Sequence, residues 1–132
     1  MRPPSIREKK HCSTSNTAHD GSLSTGHANS AEDMLSRIET MVLMGKDLPI
    51  QAVRKQIASA IDILIHLSRL RDRTRKVTGI YEVTGLRNGE VALETLYEFR
   101  ETGETAGRVE GALVRTGELR HTEKLLARNG RL

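Results

Sequence analysis

Aromatic side chains are almost absent. Tyr81, Tyr97 and Phe99 are the only ones, 2% of 132 residues, and there is no tryptophan. With 36% hydrophobic residues overall, any core must be aliphatic, built from Leu, Ile, Val and Met. A core that small is marginal by itself, so the chain is expected to lean on a partner surface. Cys12 is the single cysteine. An intrachain disulfide is therefore excluded, and nothing in the sequence calls for an oxidising compartment. No apolar run approaches the roughly 18 residues a membrane-spanning helix needs. The opening Met-Arg-Pro-Pro has no apolar stretch behind it and does not read as a secretory signal. The cytoplasm is the expected address. No G-x-x-x-x-G-K-[ST] phosphate-binding loop and no nucleophile elbow occur.

The charge balance is mildly basic, with a formal net charge of +4 and a pI near 9.6. Basic residues are densest between Arg69 and Lys76, where Arg71, Arg73 and Arg75 also lie. A nucleic-acid or acidic-partner patch is one reading. No aromatic residue interleaves to stack a base, so the favoured reading is a solvated turn between two strands.

Residues 1 to 16 are polar, bury nothing obvious, and read as a disordered leader; residues 17 to 132 form the structured part. Ser22 to Ala28 reads as a short strand, weakened by Gly26. Ser30-Ala31-Glu32-Asp33 resembles a capping box, and Leu35, Ile38 and Val42 then recur at helical spacing, together with Met34, Met41 and Met44, which are expected in the core. Gly45 suits the helix end. Asp47-Leu48-Pro49 opens a second helix, with Ile50, Val53, Ile57 and Ala60 on one face. The period then switches to two. Ile61 to Ser68 reads as a strand, with His66 opposite Ile63 and Ile65 and read as a surface residue. Thr74 to Thr84 and Glu90 to Arg100 are further strands joined through Asn88-Gly89, a strong hairpin signal. Residues 101 to 107 read as a loop, Val109 to Val114 as a short strand, and Leu119 to Asn129 as a closing helix on which His121 is a surface residue.

The most chemical stretch runs from His19 to His27. Gly21, Ser22, Ser24 and Thr25 lie between the two histidines. Hydroxyls, flexible backbone amides and imidazoles are the groups that meet phosphate oxygens. A metal site is not expected. The histidines are too far apart for a helical i, i+4 pair, and Asp20 and Glu32 are the only carboxylates nearby. From the residues alone a polar loop remains the alternative.

The run His19-Asp20-Gly21-Ser22-Leu23-Ser24-Thr25-Gly26-His27-Ala28-Asn29-Ser30 resembles the histidine box of the type II/IV secretion-system ATPases. The similarity continues through Leu35 to Met44, Asp47 to Ile50, Gln56 to Asp62, Leu67 to Asp72, Arg75 to Thr78 and Glu82 to Gly85. It is similar in particular to the Flp/Tad pilus-assembly branch, the CpaF-type ATPases. The resemblance spans about Asn16 to the C-terminus and thins after Arg100. It implies the C-terminal fragment of a RecA-like P-loop NTPase motor, an α/β fold of short strand, two helices, β meander and small closing helix. It also implies ATP and Mg²⁺ as ligands of the intact family, hexameric assembly with other ATPase subunits, and inner-membrane pilus or secretion platform proteins as partners. No nucleic acid is expected, and any membrane association would be peripheral, through partners. In that picture His27 senses the terminal phosphate, His19 supports the same loop, and Gly21, Ser22, Ser24 and Thr25 line it.

The sequence departs from the family pattern at several points. Ala18 stands where Gly precedes the first histidine, and Gly26 where a branched apolar residue precedes the second. Met44 to Asp47 is one residue short, and Arg73 replaces a turn glycine. The phosphate loop and acidic Mg²⁺-binding segments are missing. The expectation is a truncated or split gene product, inactive as an ATPase by itself. The alternatives are an interaction module docking on a full-length ATPase hexamer, and a basic nucleic-acid-binding fragment.

Overall fold

The computed structural model describes residues 23–123, which form two helices packed on one face of a four-stranded antiparallel sheet. Helix α1 spans Ala31–Gly45. Ser30, in extended backbone, caps it: its Oγ accepts from the Asp33 amide at 3.1 Å. Asp33 Oδ2 answers by accepting from the Asn29 amide at 3.0 Å, so the reciprocal bond of the capping box lands one residue early. That amide hydrogen bond, joined by Arg37, holds the Asp33 carboxyl below its ordinary pKa. Helix α2, Ile50–Ala60, follows Pro49, whose φ of −58° already suits a helix entry. Ala60 is half-buried, whereas Val53 and Ile57 are wholly buried.

The strands are β1 (Ile63–Arg69), β2 (Arg75–Arg87), β3 (Glu90–Thr105) and β4 (Arg108–Arg115), in the order β1-β2-β3-β4. Asn88 and Gly89, with φ of 52° and 79°, make the two-residue β2–β3 turn. The segment expected as a loop from 101 to 107 is instead the end of β3 and a second such turn. Its central residues Ala106 and Gly107 have φ of 52° and 74°, and Thr105 pairs with Arg108 across it. Alanine tolerates the left-handed region poorly, so the turn carries no strong sequence signal. Residues 23 to 28 form no strand; the four strands of the described sheet all come from residues 63–115.

The core gathers Leu35, Val53 and Ile57, packed by Ile38, Val42, Leu48, Ile61, Leu64, Val91 and Leu93. The helices thus cover the sheet face that carries Leu64. This reverses the expectation for β1. His66 does lie opposite Ile63 and Ile65, but its face is the half-buried one, while Ile63, Ile65 and Leu67 point outward. Met34 and Met41 are half-buried, but Met44, at the helix end, is 69% exposed rather than core.

Polar ties fix the layers. Arg54 on α2 donates from Nε to Glu39 Oε1 on α1 and from Nη1 to the Gly89 carbonyl, both at 2.9 Å. Past β4 the chain runs across the sheet as a strap. The amides of Thr116 and Gly117 donate to the Leu96 carbonyl. A Cβ on Gly117 would stand 2.5 Å from the Thr95 carbonyl oxygen, so only glycine lets the strap lie this close. The expected helix from Leu119 is absent through Thr122. There the backbone amides of Arg120 and His121 are spent on a side chain, Glu82, rather than on a helical turn. The remainder of that expected helix lies outside the described residues. The expected fold class holds at the level of α/β; a RecA-like parallel sheet is not among the described residues.

Candidate functional site

The described part of the histidine loop is a largely exposed run, in neither helix nor strand, leading into the Ser30 cap. Ser24, Thr25 and His27 are all exposed. His19, Gly21 and Ser22 lie outside the described residues. Gly26 acquires a reason here. A Cβ at this position would meet the Met34 methyl at 2.5 Å, so Met34, one turn into α1, occupies the space a branched side chain would need.

The start of α1 offers little to a phosphate by itself. A helix N-terminus attracts anions through its free amides and its dipole. In this helix Ser30 already satisfies the Asp33 amide, and Glu32 and Asp33 place two carboxylates in the first turn. A nucleotide at His27 must therefore be held by other groups. No cluster of three or more metal-ligating side chains occurs among the described residues, and no described helix is long and apolar enough to cross a membrane.

The Arg69 to Lys76 cluster does form the β1–β2 turn. Leu70 and Thr74 close it, with the Leu70 amide 2.8 Å from the Thr74 carbonyl. Asp72 braces it: its Oδ1 accepts from the Thr74 hydroxyl at 2.6 Å and the Thr74 amide at 2.9 Å, and its Oδ2 accepts from the Val109 amide at 2.8 Å. These bonds, the Thr74 hydroxyl first, hold the Asp72 carboxyl down to about 2. Arg71 reaches Glu101 and Glu104 on β3. Arg73 adopts φ of 67°, the left-handed region that favours glycine.

Two structural residues carried little sequence signal. Asp72 reads as one more charge in a charged turn. Glu82 sits among Ile80, Tyr81 and Val83, a carboxylate inside a β-rich run, and is 2% exposed. It accepts from the amides of Arg120 at 2.9 Å and His121 at 2.8 Å, and His121 Nδ1 lies 3.3 Å away. Burial raises its pKa, but the two amides and His121 outweigh burial and leave it below its ordinary value.

Against protein-family models, residues 7–123 match the type II/IV secretion system protein family. The match covers most of the chain. This chain belongs to that family. Among curated proteins it is 33% identical over 75 residues to a putative conjugal transfer protein of Mycobacterium tuberculosis, covering 57% of this chain and 20% of the relative. It is 32% identical over 88 residues to the probable conjugal transfer protein TrbB of Sinorhizobium fredii, covering 65% of this chain and 26% of that protein. The chain thus spans a fifth to a quarter of the length of these relatives.

Proposed function

We propose that this chain acts as the histidine-box portion of a secretion or conjugation motor and hydrolyses no ATP by itself. The observation that carries this reading is a family match across residues 7–123 in a sequence with no phosphate-binding loop. Phosphoryl transfer is catalysed mainly by positioning and charge stabilisation. The groups that supply most of that charge, a phosphate-loop lysine and carboxylates holding Mg²⁺, belong to segments these 132 residues do not contain. His27, exposed ahead of α1, is free to approach a γ-phosphate presented by another unit, with His19 supporting the same loop. Flp/Tad pilus assembly is the system the sequence pattern favours, with the chain at the cytoplasmic side of the inner membrane in a hexameric assembly.

A second, compatible reading is a docking module. Leu43, Met44 and Ile50, around the α1–α2 connection, are exposed apolar side chains. They would seat against an intact motor subunit. Co-expression of the 132-residue chain with a full-length family ATPase tests the docking reading, and phosphate release by the isolated chain tests the first. Stoichiometric co-purification, weakened by Met44→Ser together with Leu43→Ser, is expected. A monomer that ignores the motor removes the docking reading. ATP turnover by the isolated chain removes the first.

A further inference from the structure

The two edges of the sheet are built differently. A free strand edge presents a row of unpaired amides and carbonyls, a template for another strand. On β4 that edge is guarded: Arg108, Glu110 and Arg115 put three exposed charges into eight residues. On β1 it is not. Ile63-Leu64-Ile65-His66-Leu67-Ser68-Arg69 holds one arginine, at its last position, and no lysine, carboxylate or proline. Ile63, Ile65 and Leu67 are 40%, 53% and 59% exposed. A bulge in an edge strand would twist it away from partners, but the irregularity between β1 and β2 spares β1. There Gly79 faces His66 and Val77 faces Leu67, so the extra residue is Thr78, on β2. The Thr78 hydroxyl turns back into the sheet, 3.0 Å from the Ser68 hydroxyl and 3.4 Å from the His66 carbonyl, to which it donates. β1 therefore runs unbroken along its outer edge. Among the described residues, β2 is the only strand that pairs with it.

We infer that β1 pairs antiparallel with β1 of a second copy of this chain, about a two-fold axis through Ile65, to make one eight-stranded sheet. The strand's own pattern argues for the copy as partner. Opposed residues of antiparallel strands share a face, and a two-fold axis normal to the sheet keeps the helices of both copies on one side. Any such register matches odd residues with odd ones. With Ile65 opposite itself, Ile63 meets Leu67 on either side of the axis, so three exposed apolar pairs close in one row on the outward face. Leu64 meets His66 on the half-buried face. The two Arg69 residues then lie at opposite ends of the row, roughly 26 Å apart at 3.3 Å per residue. Centring the pair on Leu67 instead would set Arg69 against Ile65 and leave Ile63 without a partner. A two-fold pairing uses up its own edge. The edges that remain are two charged β4 strands, so growth stops at the dimer. An edge pairing is smaller than the roughly 1,600 Å² of a standard interface, so the dimer is weak and concentration-dependent. The inference is independent of the motor reading, and it uses a different surface from Leu43, Met44 and Ile50.

Sedimentation equilibrium of the full chain between about 10 and about 500 μM, the range a small interface calls for, tests it. The mass should rise from monomer to dimer and stop there. At the upper concentration, hydrogen exchange should slow at alternate amides of β1 and stay unchanged along β4. Ile65→Lys sets two ammonium groups opposite each other at the axis and should weaken the dimer at least about tenfold. The position is exposed, so its circular dichroism should match the parent. Leu113→Lys, at an exposed apolar position on β4, should leave the dimer as it is. In a Cys12→Ser background, Ile65→Cys should cross-link to its own copy under mild oxidation, because opposed Cβ atoms of a strand pair come within disulfide reach. Tyr97→Cys should not, since Tyr97 shares that face but lies two strands inside the edge. A chain still monomeric at the upper concentration would overturn the inference. So would a dimer indifferent to Ile65→Lys, β1 amides that exchange alike at both concentrations, growth past the dimer, or cross-linking through Tyr97→Cys, which would mean that faces stack rather than edges pair.

Discussion

Replacing Glu82 by alanine should free the strap from the sheet. The carboxylate is 2% exposed and accepts two backbone amides, from Arg120 and His121, at 2.9 and 2.8 Å. Hydrogen bonds to a charged group contribute about 1.5–3 kcal/mol each, and removing the carboxylate also removes its own desolvation cost, on the order of 1–3 kcal/mol. The net expected loss is about 2–3 kcal/mol, or about 6–12 °C in Tm for a domain of this size. Glu82→Gln keeps one carbonyl acceptor and turns an amide donor toward the second N–H, so roughly half of that loss is expected. Urea unfolding gives the energies, and hydrogen exchange at Arg120 and His121 locates the effect, because the strap should open before the sheet. The pH dependence has a definite sign. The folded-state pKa of Glu82 is lowered. Its contribution is therefore complete above the ordinary carboxylate range and is lost as the pH falls through the folded value. A Glu82→Ala loss under about 0.5 kcal/mol, which is ordinary for an unimportant surface position, would refute this account of the strap.

Asp72, held to about 2 by the Thr74 hydroxyl and amide and the Val109 amide, should contribute stability above its ordinary 3.8 and lose it as the pH falls toward 2. Urea midpoints between pH 2 and 5 should therefore slope less in Asp72→Asn than in the parent. Arg54→Ala cuts the tie between Glu39 on α1 and the Gly89 carbonyl at the β2–β3 turn; a loss of about 1–3 kcal/mol is expected by denaturant titration, with Glu39→Gln costing less. Ile57→Ala empties a fully buried site in the helix–sheet layer and should cost about 2–5 kcal/mol. Gly26→Val must displace the Met34 methyl. A shift of the Met34 methyl resonance with little change in Tm is expected, because the obstacle is the end of a flexible side chain.

Elements whose signal is local were legible in the sequence. The Ser30 cap, the helical spacing of Leu35, Ile38 and Val42, the Gly45 stop and the Asn88-Gly89 turn all appear where local physics places them. What failed depended on context. Ser22 to Ala28 has strand-like composition, but residues 23 to 28 pair with no strand of the described sheet. The Ala106-Gly107 turn hides half its signal behind an alanine. The alternation of β1 reveals two faces but not which one the helices cover, and the helices chose Leu64 over Ile63, Ile65 and Leu67. The strap depends on Glu82, nearly forty residues away in the chain. Its amides bond a carboxylate that no local pattern could pair with them. For the histidine box, His27, Ser24 and Thr25 are exposed ahead of α1, while the chemistry assigned to them depends on a nucleotide that other groups must hold.

Phosphate release from ATP and Mg²⁺ by the purified 132-residue chain tests the central claim most directly. The account predicts no turnover above the buffer blank, with His27→Ala indistinguishable from the parent. Robust turnover abolished by His27→Ala would contradict it, because the chain would then hold and hydrolyse the nucleotide without a phosphate-binding loop.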